Sequence, residues 1–280
     1  MERVERSPNR HVAVCHLGRA PYRPTWDLQR EIQDRLIQAK RENPQHGEDH
    51  VLLTVEHPPV YTLGKSGDRE NLLIGDAELD SQGATFVEID RGGDITFHGP
   101  GQLVVYPILD LDQFFTDIHR YLRTLEEAVI STCATFSIDA GRSQGRTGVW
   151  VGPDVRGPER KICAMGIKCS RWVTSHGLAL NVSTDLRYFD NIVPCGITDR
   201  GVTSLSIETG RQVSMDDVIP VLVSNVVSAF GMSASEYAGH AAIKYLQARF
   251  GISVPPEAVF GEDEQKRSPD ELSLFDDSRQ

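Results

Sequence analysis

The chain has 280 residues, of which 39% are hydrophobic and 25% charged, and a formal net charge of −11. This is the profile of a globular protein, and it excludes collagen-like, disulfide-scaffold and wholly disordered classes. The acidity argues against a general nucleic-acid binder, whose surface is normally basic, and the length allows one large domain or two small ones. In chain order, residues 11–17 read as a short strand. Residues 25–41 read as a helix, with Thr25 as its cap and Trp26, Leu28, Ile32, Leu36 and Ile37 along one apolar stripe. The apolar run 51–55 has the form of a buried strand, and His57, Pro58 and Pro59 end regular structure after it. A short helix over 76–82, closed by Gly83, leads to a strand over 85–89. Residues 91–102 hold four glycines and a proline, which predicts a loop or an interrupted strand.

A strand over 103–109 and a long helix over 116–136 follow, the helix turning Ile118, Tyr121, Leu122, Leu125, Val129 and Ile130 inward. Strands are predicted at 148–151, 161–169 and 172–182, with a Gly/Pro-rich insert at 152–158 between the first two. Helices over 216–230 and 235–250 come next, the second stopped by Gly251, and beyond about 256 the polar, acidic composition predicts disorder. Adjacent strands without helices between them indicate an α+β fold, mixed sheets packed with helices, rather than a doubly wound sheet. The expected organisation is one domain over 1–232 and a C-terminal extension over 233–280.

No apolar run approaches the ~20 residues of a membrane span, and the charged start lacks the apolar stretch of a signal peptide. The five cysteines (Cys15, Cys133, Cys163, Cys169 and Cys195) are odd in number and have no CxxC spacing. That argues against a disulfide framework and a cysteine metal site, and predicts a cytoplasmic protein with reduced thiols. Charge is uneven. Residues 142–171 carry seven bases against two acids, and residues 252–280 carry eight acids against three bases.

Three features carry chemical possibility. Glycines on both flanks of Thr96, Phe97 and His98 let a ligand approach the backbone, though a tight turn between strands would use the same residues; the spacing matches no nucleotide-binding loop. Cys195 lies between Pro194 and Gly196, where a sharp turn can display a nucleophilic thiol with backbone N–H groups beside it or hold a structural loop cysteine, whereas the other four cysteines lie in apolar elements as small hydrophobes. Lys161 opens an otherwise apolar strand, either as an edge residue reaching solvent or as a buried amine able to lower a thiol pKa. The small residues Ala164 and Gly166 leave space beside that strand. Gly177 suggests a close backbone approach in the next one, and His176 before it is equally readable as a satisfied strand histidine.

These blocks together resemble the lipoyl(octanoyl) transferases. The likeness runs through the stretch 54–64, RGGDITFHGPGQLVVYPILDL at 91–111, GVWV at 148–151, KICAMGI at 161–167, HGLALNV at 176–182 and FDNIVPCGI at 189–197. It implies the fold of biotin and lipoate protein ligase catalytic domains. It also implies transfer of an octanoyl group from octanoyl-acyl carrier protein to a lysine of lipoyl domains, those of 2-oxoacid dehydrogenase complexes and of the glycine cleavage H protein. Cys195 would carry the acyl thioester and Lys161 would lower its pKa and exchange protons. Arg91, Gly92, Gly93, Asp94, Ile95, Thr96, Phe97, His98, Ala164, Met165, Gly166, Gly177, Leu178 and Ala179 would line the acyl slot. No ATP, metal, nucleic acid or membrane is expected, and the basic stretch 142–171 would help meet the acidic carrier protein. Residues 154–160 lengthen the approach to Lys161 beyond the family's pattern, as a surface hairpin. The alternatives are a lipoyl-domain-to-lipoyl-domain acyltransferase, an ATP-dependent lipoate ligase and a non-catalytic binder of lipoyl domains.

Overall fold

The computed structural model describes residues 9–42, 49–193 and 201–252. The chain opens with strand β1 (His11–Arg19), helix α1 (Tyr22–Glu42) and β2 (His50–Glu56). It continues through β3 (Val60–Leu63), α2 (Asp76–Ser81), β4 (Thr85–Glu88), β5 (Ile95–His98) and β6 (Gln102–Ile108). Then come α3 (Ile118–Thr135), β7 (Ala140–Gly141), β8 (Val149–Val151), β9 (Arg160–Ser170) and β10 (Val173–Asn181). The last elements are β11 (Gly201–Val202), α4 (Leu205–Thr209), α5 (Met215–Phe230), β12 (Ser233–Ala238) and α6 (Gly239–Phe250).

Among the described residues, nine strands make one sheet in the order β12-β1-β2-β6-β10-β9-β8-β7, with β11 added beside the start of β9. The pairings β12–β1 and β1–β2 are parallel, and β2–β6, β6–β10 and β10–β9 are antiparallel. A smaller sheet, β4-β3-β5, stands apart from it. This is the mixed α+β arrangement that the sequence predicts.

The central strands are apolar on both faces, so alternate residues feed two cores. Val12, Val14, Leu52, Leu103, Val105, Leu178 and Leu180 pack with Leu125 and Val129 of α3 and Leu222 and Val226 of α5. Their neighbours Val51, Leu53, Val104, Tyr106 and Ala179 pack on the other face with Ile32 and Leu36 of α1 and Leu246 and Phe250 of α6. Fully burying each such side chain contributes about 1.5–3 kcal/mol. Tyr61, Phe97 and Ile192 centre a third core under the small sheet. Helix ends follow their chemistry: Asp117 accepts the Arg120 N–H to start α3, and Gly231 and Gly251, at φ 61° and 62°, end α5 and α6.

Three expectations change. Helix α1 starts at Tyr22, and the Thr25 hydroxyl, inside its first turn, donates to Pro21 O at 2.8 Å instead of capping. The double proline does not end regular structure for long, because Val60–Leu63 forms the central strand of the small sheet. Residues 233–238 are a strand and the helix begins only at Gly239, because parallel pairing with β1 overrides the weak strand preference of Ser-Ala-Ser-Glu-Tyr-Ala. The chain from 233 to 252 thus joins the main sheet and its second core. The insert forms a hairpin, in which Asp154 and Gly157 exchange N–H···O bonds at 3.0 Å. Among the described residues no helix is long and apolar enough to cross a membrane.

Candidate active site

Strands β9 and β10 differ in cover. All of β10 is buried, between the core with α1 on one face and the core with α3 and α5 on the other, whereas most of β9 is only half-buried. A cavity of about 510 Å³ lies along the pair, where the loop before β5 folds over it. Of the predicted residues, Arg91, Gly92, Gly93, Asp94, Ile95, Thr96, His98, Lys161, Ala164, Met165, Gly166, Gly177, Leu178 and Ala179 line this cavity. Phe97 does not. Strand alternation turns it away from Thr96 and His98 into the third core, where it stacks on Tyr188 at 4.5 Å between ring centres. Cys195 lies outside the described residues.

Two glycines explain how the wall closes. A Cβ on Gly177 would fall on the carbonyl oxygen of Val105, so β10 meets β6 only without a side chain there. A Cβ on Gly166 would come within 2.9 Å of Arg91 Cδ and Gly92 O. The 91–93 loop therefore crosses β9 at this point, tied down by the Gly92 N–H on Ile167 O at 2.9 Å.

Beneath the loop a buried chain of hydrogen bonds has a fixed direction. Gln102 Nε2 donates to Phe97 O (3.1 Å) and to Asn181 Oδ1 (2.9 Å), so its Oε1 must accept from His98 Nδ1–H at 2.7 Å. His98 is buried and lies near His57 and Arg91, which pushes its pKa down to about 3; the ring is neutral and its Nε2 is left to accept from the Thr62 hydroxyl at 3.4 Å. Arg91 in turn donates to Thr62 Oγ1 at 3.1 Å, and at the far end Asn181 Nδ2 donates to Thr203 O at 3.0 Å. His57, buried and pushed down to about 4, donates from Nδ1 to Ala20 O and accepts from the Tyr106 hydroxyl. Tyr22 stacks on His98 at 5.6 Å. The sequence reading missed Tyr22, Gln102, Tyr106, Trp150, His176 and Asn181 as cavity residues. The polar Gln102 and Asn181 in otherwise apolar strands were the available signal, since a buried polar side chain needs partners.

Lys161 marks the other end. Its ammonium lies 4.7 Å from the ring centre of Trp150, a cation–π contact. Thr203 N–H donates to Lys161 O at 2.9 Å, which holds β11 alongside. The turn before Trp150 is built by Gly148, at φ 112°, whose N–H donates to the buried carboxylate of Glu126 at 3.0 Å. Phe189 and Gly201, on either side of 194–200 in the sequence, both line the cavity. The cysteines that are described are poor nucleophiles. Burial pushes the thiols of Cys15 and Cys133 up to about 12 and Cys163 well above its ordinary range, and it raises half-buried Cys169 as well.

The arrangement is a largely apolar slot with Lys161 at one end of its β9 wall, and Arg91 and Arg146 also line it. A scan of family models matches residues 21–227 to the lipoyl protein ligase A/B catalytic domain. The chain belongs to this family. A curated octanoyltransferase from Flavobacterium johnsoniae is 52% identical over 79% of this chain and 97% of its own length. One from Christiangramia forsetii is 54% identical over the same shares. Among solved structures, a bi-partite lipoate protein ligase from Thermoplasma acidophilum aligns with a TM-score of 0.62 at 17% identity, covering 89% of this chain and 98% of that one. A lipoate-protein ligase A bound with ATP aligns at 0.59 and 17%, covering 89% and 99%. At that identity these two structures show the shared fold alone.

Seen on this ligase A/B domain, the basic stretch is not an open positive patch. Arg142 pairs with Glu126 and Glu127 of α3, Arg156 and Arg160 with Glu208 of α4, and Lys168 with Asp90. Folding brings acids from outside 142–171 onto most of its bases, so a count along the sequence overstates the local charge.

Proposed function

We propose that the protein transfers an octanoyl group from the phosphopantetheine thiol of acyl carrier protein to a lysine of lipoyl domains, through a thioester on Cys195. The observation that carries this reading is the apolar slot ending at the Lys161 ammonium, in a chain about half identical to octanoyltransferases. In the first step the Cys195 thiolate, stabilised by the Lys161 charge, attacks the donor's thioester carbonyl. The S–acyl bond of the donor breaks, and its pantetheine sulfur takes the proton of Lys161. In the second step the neutral Lys161 takes a proton from the incoming lysine amine as that nitrogen attacks the acyl-Cys195 carbonyl. An amide forms, the thiolate leaves, and the lysine ammonium is restored.

Thioester exchange is nearly balanced and aminolysis runs downhill, so this reading uses neither ATP nor a metal. Closure of the slot by the 91–93 loop keeps water from hydrolysing the intermediate. The acceptors in this reading are the lipoyl domains of 2-oxoacid dehydrogenase complexes and the glycine cleavage H protein, and the setting is the cytoplasm, where carrier protein and acceptors meet. Incubation with octanoyl-carrier protein should add one octanoyl mass to the intact chain, mapped to Cys195. Transfer at the wild-type rate by Cys195→Ser would defeat the covalent route, and a strict need for ATP would move the reaction to the ligases.

A further inference from the structure

His176 is the least ordinary residue of the cavity wall. It lies inside β10, 1% exposed, yet has φ 58°, a left-handed conformation that a strand residue with a side chain avoids. Two bonds over-determine it. Its N–H donates to Gln29 Oε1 of α1 at 2.9 Å, and its Nε2–H donates to Asp90 Oδ1 at 2.8 Å. The other oxygen of Asp90 accepts from Lys168 Nζ of β9 at 2.6 Å. These bonds, that of His176 first, hold the Asp90 carboxyl well below the ordinary carboxylate range. A single carboxylate is therefore clamped by both strands of the β9–β10 hairpin.

Asp90 is also the residue from which the glycine loop departs. Arg91, Gly92 and Gly93 follow it directly and cross β9 at Gly166 and Ile167. His176 pairs opposite Ile167, so the clamp and the crossing stand at the same level of the hairpin. Gly166 is five residues along β9 from Lys161, about 17 Å of strand. An extended eight-carbon acyl chain takes about 9 Å of that length. The crossing thus stands within the reach of a medium to long acyl chain laid along β9 from Lys161.

We propose that His176 is a positioning residue: through Asp90 it fixes the 91–93 loop as the end wall of the acyl slot, and so sets the chain length the slot accepts. The inference rests on the acyl-transfer reading above and adds a length gauge to it. The strained backbone is what aims the imidazole at Asp90 rather than along the ordinary direction of a strand side chain.

The test compares kcat/KM for octanoyl-, decanoyl- and dodecanoyl-carrier protein with a lipoyl domain as acceptor, using the full chain. His176→Leu should lower the octanoyl-to-dodecanoyl preference about tenfold, the scale on which a pocket discriminates methylenes. It should raise KM for octanoyl donor more than it lowers kcat. His176→Gln, which can still donate to Asp90, should keep most of the preference, and Lys168→Met, which removes the second anchor, should lower it in part. An unchanged preference in folded His176→Leu, or a Gln variant that behaves like Leu, overturns the proposal. Should His176→Leu fail to fold, Lys168→Met decides, and an unchanged preference there overturns it equally. A wild-type chain that transfers no octanoyl group sinks the reaction reading instead, and is seen before any variant is compared.

Discussion

Lowering the pH from 6 to 4.5 should cost the protein about 4 kcal/mol of stability through His57 and His98. Both are buried and neutral in the folded chain, pushed down to about 4 and about 3 from an ordinary 6.5. Their bonds to Ala20 O, Tyr106, Gln102 and Thr62 are those of neutral rings. In the unfolded chain both take a proton below 6.5. The unfolded state therefore binds more protons across the window from 6.5 down to about 4, and stability is complete above it and declines as pH falls. Each such proton is worth about 1.4 kcal/mol per pH unit, so two give a slope near 2.7 kcal/mol per unit. Burial lowers His50 and His176 too, which steepens the slope in the same sense. Asp90 does not contribute in this window. Its depressed pKa stabilises the fold above its unfolded value of 3.8 and is lost only as pH falls below that.

Urea unfolding followed by tryptophan fluorescence, repeated from pH 4.5 to 7.5, gives the slope directly. Against a typical total stability of about 5–15 kcal/mol, the expected loss is large. His57→Gln removes one of the two protons and should flatten the slope by about 1.4 kcal/mol per unit, whatever it does to stability at pH 7. A wild-type slope below that of one proton near pH 5.5, or a slope that His57→Gln leaves unchanged, refutes the reasoning.

Other outcomes are as definite. Gly177→Ala should lower stability by about 3 kcal/mol, at the upper end of overpacking costs, because its Cβ falls on Val105 O and β10 must part from β6; an unshifted urea midpoint would contradict this. Glu126→Ala should cost about 3 kcal/mol, since it leaves the Gly148 N–H without its buried acceptor and takes the shared carboxylate from Arg123 and Arg142; a cost under about 1 kcal/mol in the same assay would show that the carboxylate is idle. Lys161→Ala should keep the fold by circular dichroism and lose about 100- to 10,000-fold in transfer rate, the range for a lost proton-transfer group. Near-normal activity at neutral pH would remove it from the mechanism. Gly166→Ala should lower kcat/KM, because its Cβ meets Arg91 Cδ and Gly92 O at 2.9 Å and must push the 91–93 loop off β9; an unchanged kcat/KM in the folded variant would show that the position of the loop does not matter to transfer.

Much of the frame was legible because its signals are local. The apolar runs of β2, β6 and β10 read as buried strands, and the stripe on α3 read as one helix face, since each buries what the period dictates. The small sheet was not. Val60–Leu63 is four residues long, follows two prolines and becomes a strand through partners at 85–88 and 95–98. β12 is legible only through β1, more than 200 residues earlier. The same division holds for charge. Arg142 and Arg160 look like a basic patch until α3 and α4 bring Glu126 and Glu208 to them.

The site divides along the same line, for a further reason. Gly166 announced space beside β9 and Gly177 a close approach, and the groups that use them proved to be Arg91 with Gly92 and the backbone of Val105. An apolar strand, however, reads the same in sequence whether a helix or a substrate is to cover it. β9 and β10 both carry apolar residues, yet β10 is buried throughout, with Gln29 and Gln33 of α1 bonding its backbone, and β9 is left half open. The β9 and β10 walls of the slot, Ala164, Met165, Leu178 and Ala179 among them, therefore read locally as core residues. What distinguishes them is the polar hardware that core packing does not require: the Gln102–Asn181 chain at one level, Trp150 against Lys161 at one end, and the strained His176 with Asp90 at the other. Each of these is a pairing across 11 to 86 positions of sequence. A single chain read in order shows that such polar residues are present, but only the fold shows that they meet.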